Sequence, residues 1–127
     1  MIADDNAIDL KIAKRIVNVT LRDVEVLEAL NLDETANNLL DCNYDIALID
    51  NEMPGGTTLE IVSMLNETFN EFLPPMIMVS GNDDPQLPNL ARRAGFFGFI
   101  GKEEFTKARL RAEIQSLINA DALLLSA

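Results

Sequence analysis

The sequence predicts an α/β fold: a five-stranded parallel sheet, doubly wound, with helices on both faces. Three observations carry this. Helical and strand periodicities alternate from end to end of the chain. Two segments, Ile46 to Ile49 and Met76 to Val79, are continuous apolar runs, as in strands covered on both faces. Four of the five strands also end in a polar residue that the alternation leaves unexplained. A length of 127 residues fits one domain, and an apolar content of 48% suffices for one core.

The elements follow in order. Met1, Ile2 and Ala3 form a short first strand before Asp4 and Asp5. Ile8, Ile12, Ile16 and Val19 recur at helical spacing behind Asn6, a suitable N-cap. Val24 and Val26 alternate as in a strand, and a short helix after Asp33 would bury Ala36, Leu39 and Leu40. The run Ile46 to Ile49 is the third strand. After Pro54, Gly55 and Gly56, helical spacing returns at Leu59, Val62, Leu65, Phe69 and Phe72, until Pro74 and Pro75 end it. Met76 to Val79 is the fourth strand. Asp84 and Pro85 read as a cap and first turn, and Gly95 closes that helix. Phe96 to Gly101 is the last strand, and Leu110, Ile114, Leu117 and Ile118 mark a final amphipathic helix. No repeat, linker or low-complexity segment interrupts the pattern.

Composition narrows the chemistry. The chain has no histidine, which excludes imidazole metal sites and Ser/His or Cys/His catalysis. A net charge of −11 argues against nucleic acid and anionic membranes, while permitting hard cations and basic protein surfaces. Cys42 is a lone cysteine, read as a small packing residue compatible with a reducing cytoplasm. No apolar run approaches the roughly 20 residues of a membrane helix, and no secretory leader is visible. A cytoplasmic protein is the expectation.

In parallel α/β sheets, ligands bind beyond the carboxyl ends of the strands. Asp4 and Asp5, Asp50, Ser80 and Lys102 end the first, third, fourth and fifth strands, so they converge on one edge. Taken singly, each has an ordinary reading as cap, turn former or surface charge, and Glu52, Asp83 and Glu103 read equally well as solvated charge. Together they form a site. Three carboxylates brought close repel one another, and Lys102 offsets only part of that charge. A divalent cation relieves the rest. Oxygen-only ligands favour Mg²⁺ over zinc or copper. Asp50 can then act as an oxygen nucleophile toward phosphorus, with Mg²⁺, Lys102 and Ser80 neutralising the phosphoryl oxygens. Gly55, Gly56 and Gly81 are expected to leave backbone amides open around the entering group.

Asp4 and Asp5 at the start of the first helix, the run from Ile49 and Asp50 to Met53, Pro54 and Gly55, Val79-Ser80-Gly81, and Gly101-Lys102 together resemble the response-regulator receiver domain of two-component signalling. The resemblance spans nearly the whole chain and implies the flavodoxin-like strand order 2-1-3-4-5. It implies a receiver domain over residues 1–120, with 121–127 extending the last helix or forming a tail. It further implies that Asp50 takes a phosphoryl group from a phosphohistidine on a histidine kinase or a phosphotransfer protein. Mg²⁺ would bind Asp5, Asp50 and the backbone carbonyl of Glu52, with Asp4 acting through water. Ser80 and Lys102 would contact the phosphoryl group. Phe99 would be the switch aromatic, and the surface of the fourth helix, fifth strand and fifth helix would change its affinity for an output domain or protein. Such a module catalyses its own phosphorylation and dephosphorylation and is not a classical turnover enzyme.

The sequence departs from that family at four places. The first strand is short, Glu103 stands where proline is usual after the lysine, Thr58 replaces a glycine before the third helix and is expected to cap it, and Glu52 and Asn82 occupy the variable positions beside the site. Two other readings compete. One is a pseudo-receiver, a non-phosphorylated interaction module. The other is an aspartate-nucleophile phosphatase pairing Asp50 with Glu52, whose usual Asp-x-Asp motif is absent. The abrupt start and the apolar tail Ala122 to Leu125 fit a module of a longer chain, and the tail fits a dimer contact equally well.

Overall fold

The computed structural model describes residues 1–41, 44–69 and 73–126, with side chains to residue 120. Cys42 and Phe72, and the side chains of the tail Ala122 to Leu125, lie outside what is described. The main sheet contains β1 (Ile2–Ala3), β2 (Glu28–Ala29), β3 (Ala47–Ile49), β4 (Met76–Ser80) and β5 (Gly98–Gly101), all parallel, in the order β2-β1-β3-β4-β5. The helices are α1 (Ala7–Thr20), α2 (Leu32–Asp41), α3 (Thr58–Phe69), α4 (Leu87–Ala94) and α5 (Lys107–Ser126). A two-residue antiparallel ribbon, Glu52–Met53 with Gly56–Thr57, follows β3, and Gly55 makes its turn at a φ of 93°. The expected five-stranded, doubly wound sheet with its 2-1-3-4-5 order is present.

Strand residues point alternately to two cores. Ile49, Met76 and Met78 face Leu39, Val62 and Ala91 on the side of α2, α3 and α4. Leu48, Ile77, Val79 and Ile100 face Leu10, Val17 and Leu110 on the side of α1 and α5. Every residue of β3 and β4 is buried, which is why both read as unbroken apolar runs. The sheet is held at its centre, and its strand ends are therefore fixed in space. Among the described residues, no helix is long and apolar enough to cross a membrane.

Several details differ from the sequence expectation. In α1, Asn6 is the N-cap, its side-chain oxygen accepting from the backbone amides of Ile8 and Asp9 at 3.0 Å each. The buried stripe, however, is Leu10, Ala13 and Val17, whereas Ile8, Ile12 and Val19 are exposed and Ile16 is only partly covered. The small Ala13 lets the helix lie close to the sheet. In α2, Thr35 and Leu39 are buried, and Leu40 faces out. Val24 and Val26 pack on the core just ahead of β2, whose ladder reaches only as far as its partner Ile2–Ala3. Asp84 does not cap α4; its carboxylate accepts from the Gln86 amide in a preceding turn, and the cap position is Gln86. Gly95 closes α4 at a φ of 120°, as expected.

Candidate functional site

Strand termination delivers most of the site. Asp4 follows β1 and Asp50 follows β3, both buried; the Asp50 amide donates to the Ala3 carbonyl at 2.9 Å, locking the two strand ends in register. Ser80 ends β4 and is buried. Lys102 begins a single 3₁₀ turn, Lys102–Glu104, directly after β5. Asp5 is exposed beside Asp4.

The ammonium of Lys102 joins these ends. It donates to Asp9 Oδ2 at 2.7 Å, to Asp50 Oδ2 at 3.1 Å and to Asp4 Oδ2 at 3.2 Å. An ammonium has three protons, so three carboxylates use them all. Asp4 is held on its other oxygen as well, where Oδ1 accepts from the Asn6 amide at 2.9 Å. Burial pushes the Asp50 carboxyl above its ordinary value, the charge and hydrogen bond of Lys102 pull the other way, and the neighbouring Asp4 adds to the rise. Burial alone would lower the ammonium of Lys102, but its hydrogen bond to Asp9 and the charges of Asp50 and Asp4 hold it above its ordinary value.

The backbone of Asp50 is fixed from below. The Thr58 hydroxyl, fully buried, donates to the Asp50 carbonyl at 2.7 Å, and the Thr58 amide donates to the Asn51 carbonyl at 2.8 Å. Thr58 is thus a tie to the acidic strand end rather than the cap of α3. That role falls to its neighbours, since Asn51 Oδ1 accepts from the Leu59 amide and Thr57 Oγ1 from the Glu60 amide.

Above these groups lies an open cleft lined by Asp5, Asp9, Asp50, Glu52, Ser80, Gly81, Asn82 and Lys102, among others. The Ser80 hydroxyl oxygen accepts from the Asn82 amide at 3.1 Å, and the Asn82 side chain donates to Glu52 Oε1 at 3.0 Å. Asp4, Asp5 and Asp50 each offer a carboxylate oxygen, all within 4.8 Å of one another, with Asp5 open to solvent. Such an oxygen-only donor set fits a hard divalent ion that keeps part of its water.

The sequence-predicted residues therefore divide. Asp4, Asp50 and Lys102 are hydrogen-bonded together, and Asp5, Ser80 and Glu52 border the same cleft. Gly81 lines it, but Gly55 and Gly56 do not, and both lie near Leu32. Phe99 lies apart, half-buried on β5 against the core on the α4 side, its carbonyl accepting from Arg109 Nη2 at 3.1 Å. Asp9, the nearest partner of Lys102, was missed by sequence reasoning. It stands in the first turn of α1, three residues beyond the N-cap Asn6 and close to the edge where β1 ends.

Comparison with known proteins gives one answer. The family described as the response regulator receiver domain matches residues 1–115. The fold is similar to that of a response regulator receiver domain protein from Clostridium thermocellum, at 24% identity and a TM-score of 0.79, covering 97% of this chain and 95% of that one. It is also similar to a LuxR-family two-component response regulator from Aurantimonas sp. SI85-9A1, at 19% identity and a TM-score of 0.81, covering 94% of this chain and 84% of that one. A third likeness is to a response regulator protein from Burkholderia pseudomallei solved with a phosphorylated aspartic acid, calcium ion and citrate, at 17% identity and a TM-score of 0.73, covering 99% and 73% of the two chains. A comparison with curated proteins returned no match. With its strand order, the acidic edge that Lys102 closes and a family match over all but the last turns of α5, this chain belongs to the response regulator receiver domain family.

Proposed function

We propose that this receiver domain is a phosphorylation switch whose acceptor is Asp50. The observation that carries this is the placement of Asp50, buried at a strand end, with its carboxylate held by Lys102 and its carbonyl by Thr58. An aspartate held at one carboxylate oxygen and at its backbone carbonyl is a positioned oxygen nucleophile. One oxygen of Asp50 attacks phosphorus in a phosphohistidine of a histidine kinase or phosphotransfer protein. The bond from phosphorus to the imidazole nitrogen breaks, its electrons stay on that nitrogen, and the ring is left neutral once proton balance with solvent is restored.

The chain's own groups divide the work. Lys102 supplies positive charge to the phosphoryl oxygens, and Ser80 offers its hydroxyl to one of them. Asp5 and Asp50, with the Glu52 backbone carbonyl, would hold Mg²⁺ directly. Asp4 would act through water, since one of its oxygens is already engaged by the Asn6 amide and the other by Lys102. When bound, Mg²⁺ supplies charge neutralisation for an otherwise strongly acidic pocket. The similar Burkholderia pseudomallei protein, with its phosphorylated aspartic acid, supports an acyl phosphate as the product.

The output is read on the surface formed by α4, β5 and α5. Movement of the Ser80 hydroxyl toward the phosphoryl group would free space for Phe99, which is half-buried on β5. This is a two-state element biased by a local change of charge. An output domain or protein, or a second copy of this chain, would bind one state better than the other. The test is a beryllofluoride titration with Mg²⁺ followed by amide chemical shifts. Shifts at Ser80, Gly81, Phe99 and Gly101 that vanish in Asp50→Asn are expected. Equal shifts in both proteins would rule Asp50 out as the acceptor.

A further inference from the structure

We propose that Asp9 is a positioning residue that holds the Lys102 ammonium in the resting site and releases it to the arriving phosphoryl group, thereby weakening the phosphorylated state. This role presupposes Asp50 as the acceptor. Of the three carboxylates on Lys102, Asp9 makes the shortest contact, 2.7 Å, yet it lies on no strand end and outside the trio that could share one cation. Its side chain is 37% exposed, against 7% for Asp4 and 10% for Asp50. Asp4 is further pinned by the Asn6 amide. Asp9 alone can therefore turn out to water at little cost.

A phosphoryl group on Asp50 brings up to two negative charges and three acceptor oxygens. Lys102 has no spare proton in the resting arrangement. One phosphoryl oxygen can replace the Asp50 carboxylate that the transfer consumes; to donate to a second, Lys102 must drop a further acceptor, and the exposed one is the cheapest to replace with water. The released carboxylate then stands close to the new anion and repels it. Both effects weaken the hold on a bound phosphoryl-like anion. The same negative charge favours a cation in the pocket. Asp9 thus acts with opposite sign on anion and cation, which a purely structural place in the first turn of α1 would not produce.

The experiment uses the full chain as wild type, Asp9→Asn and Asp9→Glu. Mg²⁺ is titrated first, then beryllofluoride at saturating Mg²⁺, with the amide shifts of Gly81 and Gly101 as the readout. Asp9→Asn should bind beryllofluoride roughly twofold to fivefold tighter, the size of one partly exposed charge pair, and Mg²⁺ more weakly. Asp9→Glu, which restores the charge, should return both constants toward wild type. If Asp9→Asn binds beryllofluoride no tighter, if both constants move together, or if Asp9→Glu behaves as Asp9→Asn does, Asp9 is not the positioning residue. If the wild type itself fails to bind beryllofluoride, Asp50 is not the acceptor, and the role of Asp9 falls with it.

Discussion

The side chain of Asn82 donates to Glu52 Oε1 at 3.0 Å, joining two loops 30 positions apart over the cleft that holds Asp50. The Asn82 side-chain oxygen Oδ1 is engaged too, accepting from the Asp84 amide at 2.9 Å, so the bridge is anchored from its α4 side. On the proposed acyl phosphate at Asp50, such a polar bar would narrow the approach of water. Replacing Asn82 with alanine removes the bar while keeping the backbone amide that serves Ser80. Hydrolysis of the phosphorylated protein, followed as phosphate release after acetyl phosphate is removed, should speed up severalfold. An unchanged or slower rate would show that the bridge does not shield the group.

The raised pKa of Asp50 has a consequence for stability. Burial, with Asp4 adding to it and Lys102 opposing it, lifts the carboxyl above its ordinary value of 3.8. A carboxyl with a higher pKa folded than unfolded binds its proton more tightly in the folded state. Its ionisation therefore costs stability as pH rises above the unfolded value, and costs nothing well below it. Asp50→Asn removes that cost. In metal-free buffer the variant should be more stable than wild type at pH 7, and the gain should fade as pH falls toward 3.8. Urea denaturation across that range measures it; a gain that grows toward acid would contradict the sign.

Thr58 offers a test of how firmly Asp50 is seated. Its hydroxyl is fully buried and donates to the Asp50 carbonyl. Thr58→Val keeps the shape but leaves that carbonyl without its donor, costing about 1–3 kcal/mol in urea denaturation. Thr58→Ser, which retains the hydroxyl, should recover part of the loss. Equal stability of Thr58→Val and wild type would mean the bond contributes nothing.

The two faces of α1 should respond oppositely to substitution. Leu10 is buried against the sheet, whereas Ile12 is half exposed. Leu10→Ala should cost about 2–5 kcal/mol, and Ile12→Lys should stay within about 0.5 kcal/mol of wild type. Thermal or urea denaturation of the pair distinguishes the observed stripe from the one that the isoleucines suggest.

That contrast shows what could and could not be read before folding. The central strands were legible because burial on both faces leaves no polar position in Leu48, Ile49, Ile77 and Met78. Asp50, Ser80 and Lys102 were legible because a parallel sheet gathers its strand ends at one edge. The face of α1 was not, since Ile8, Ile12 and Val19 compete at similar spacing with Leu10, Ala13 and Val17, and Ala13 carries almost no hydrophobic signal. Asp9 was missed for a related reason. A carboxylate in the first turn of a helix has an ordinary explanation in the helix dipole, and only the position of Lys102 in space reveals its partner. The tie from Thr58 to Asp50 crosses eight residues and depends on how the ribbon after β3 folds back.

The most direct test is intact-mass spectrometry of the chain after incubation with acetyl phosphate and Mg²⁺, with fragmentation to locate any adduct. A gain of one phosphoryl group, placed on Asp50, absent without Mg²⁺ and absent in Asp50→Asn, is the expected result. No adduct on the wild type, or an adduct that survives in Asp50→Asn, would contradict phosphoryl transfer to Asp50.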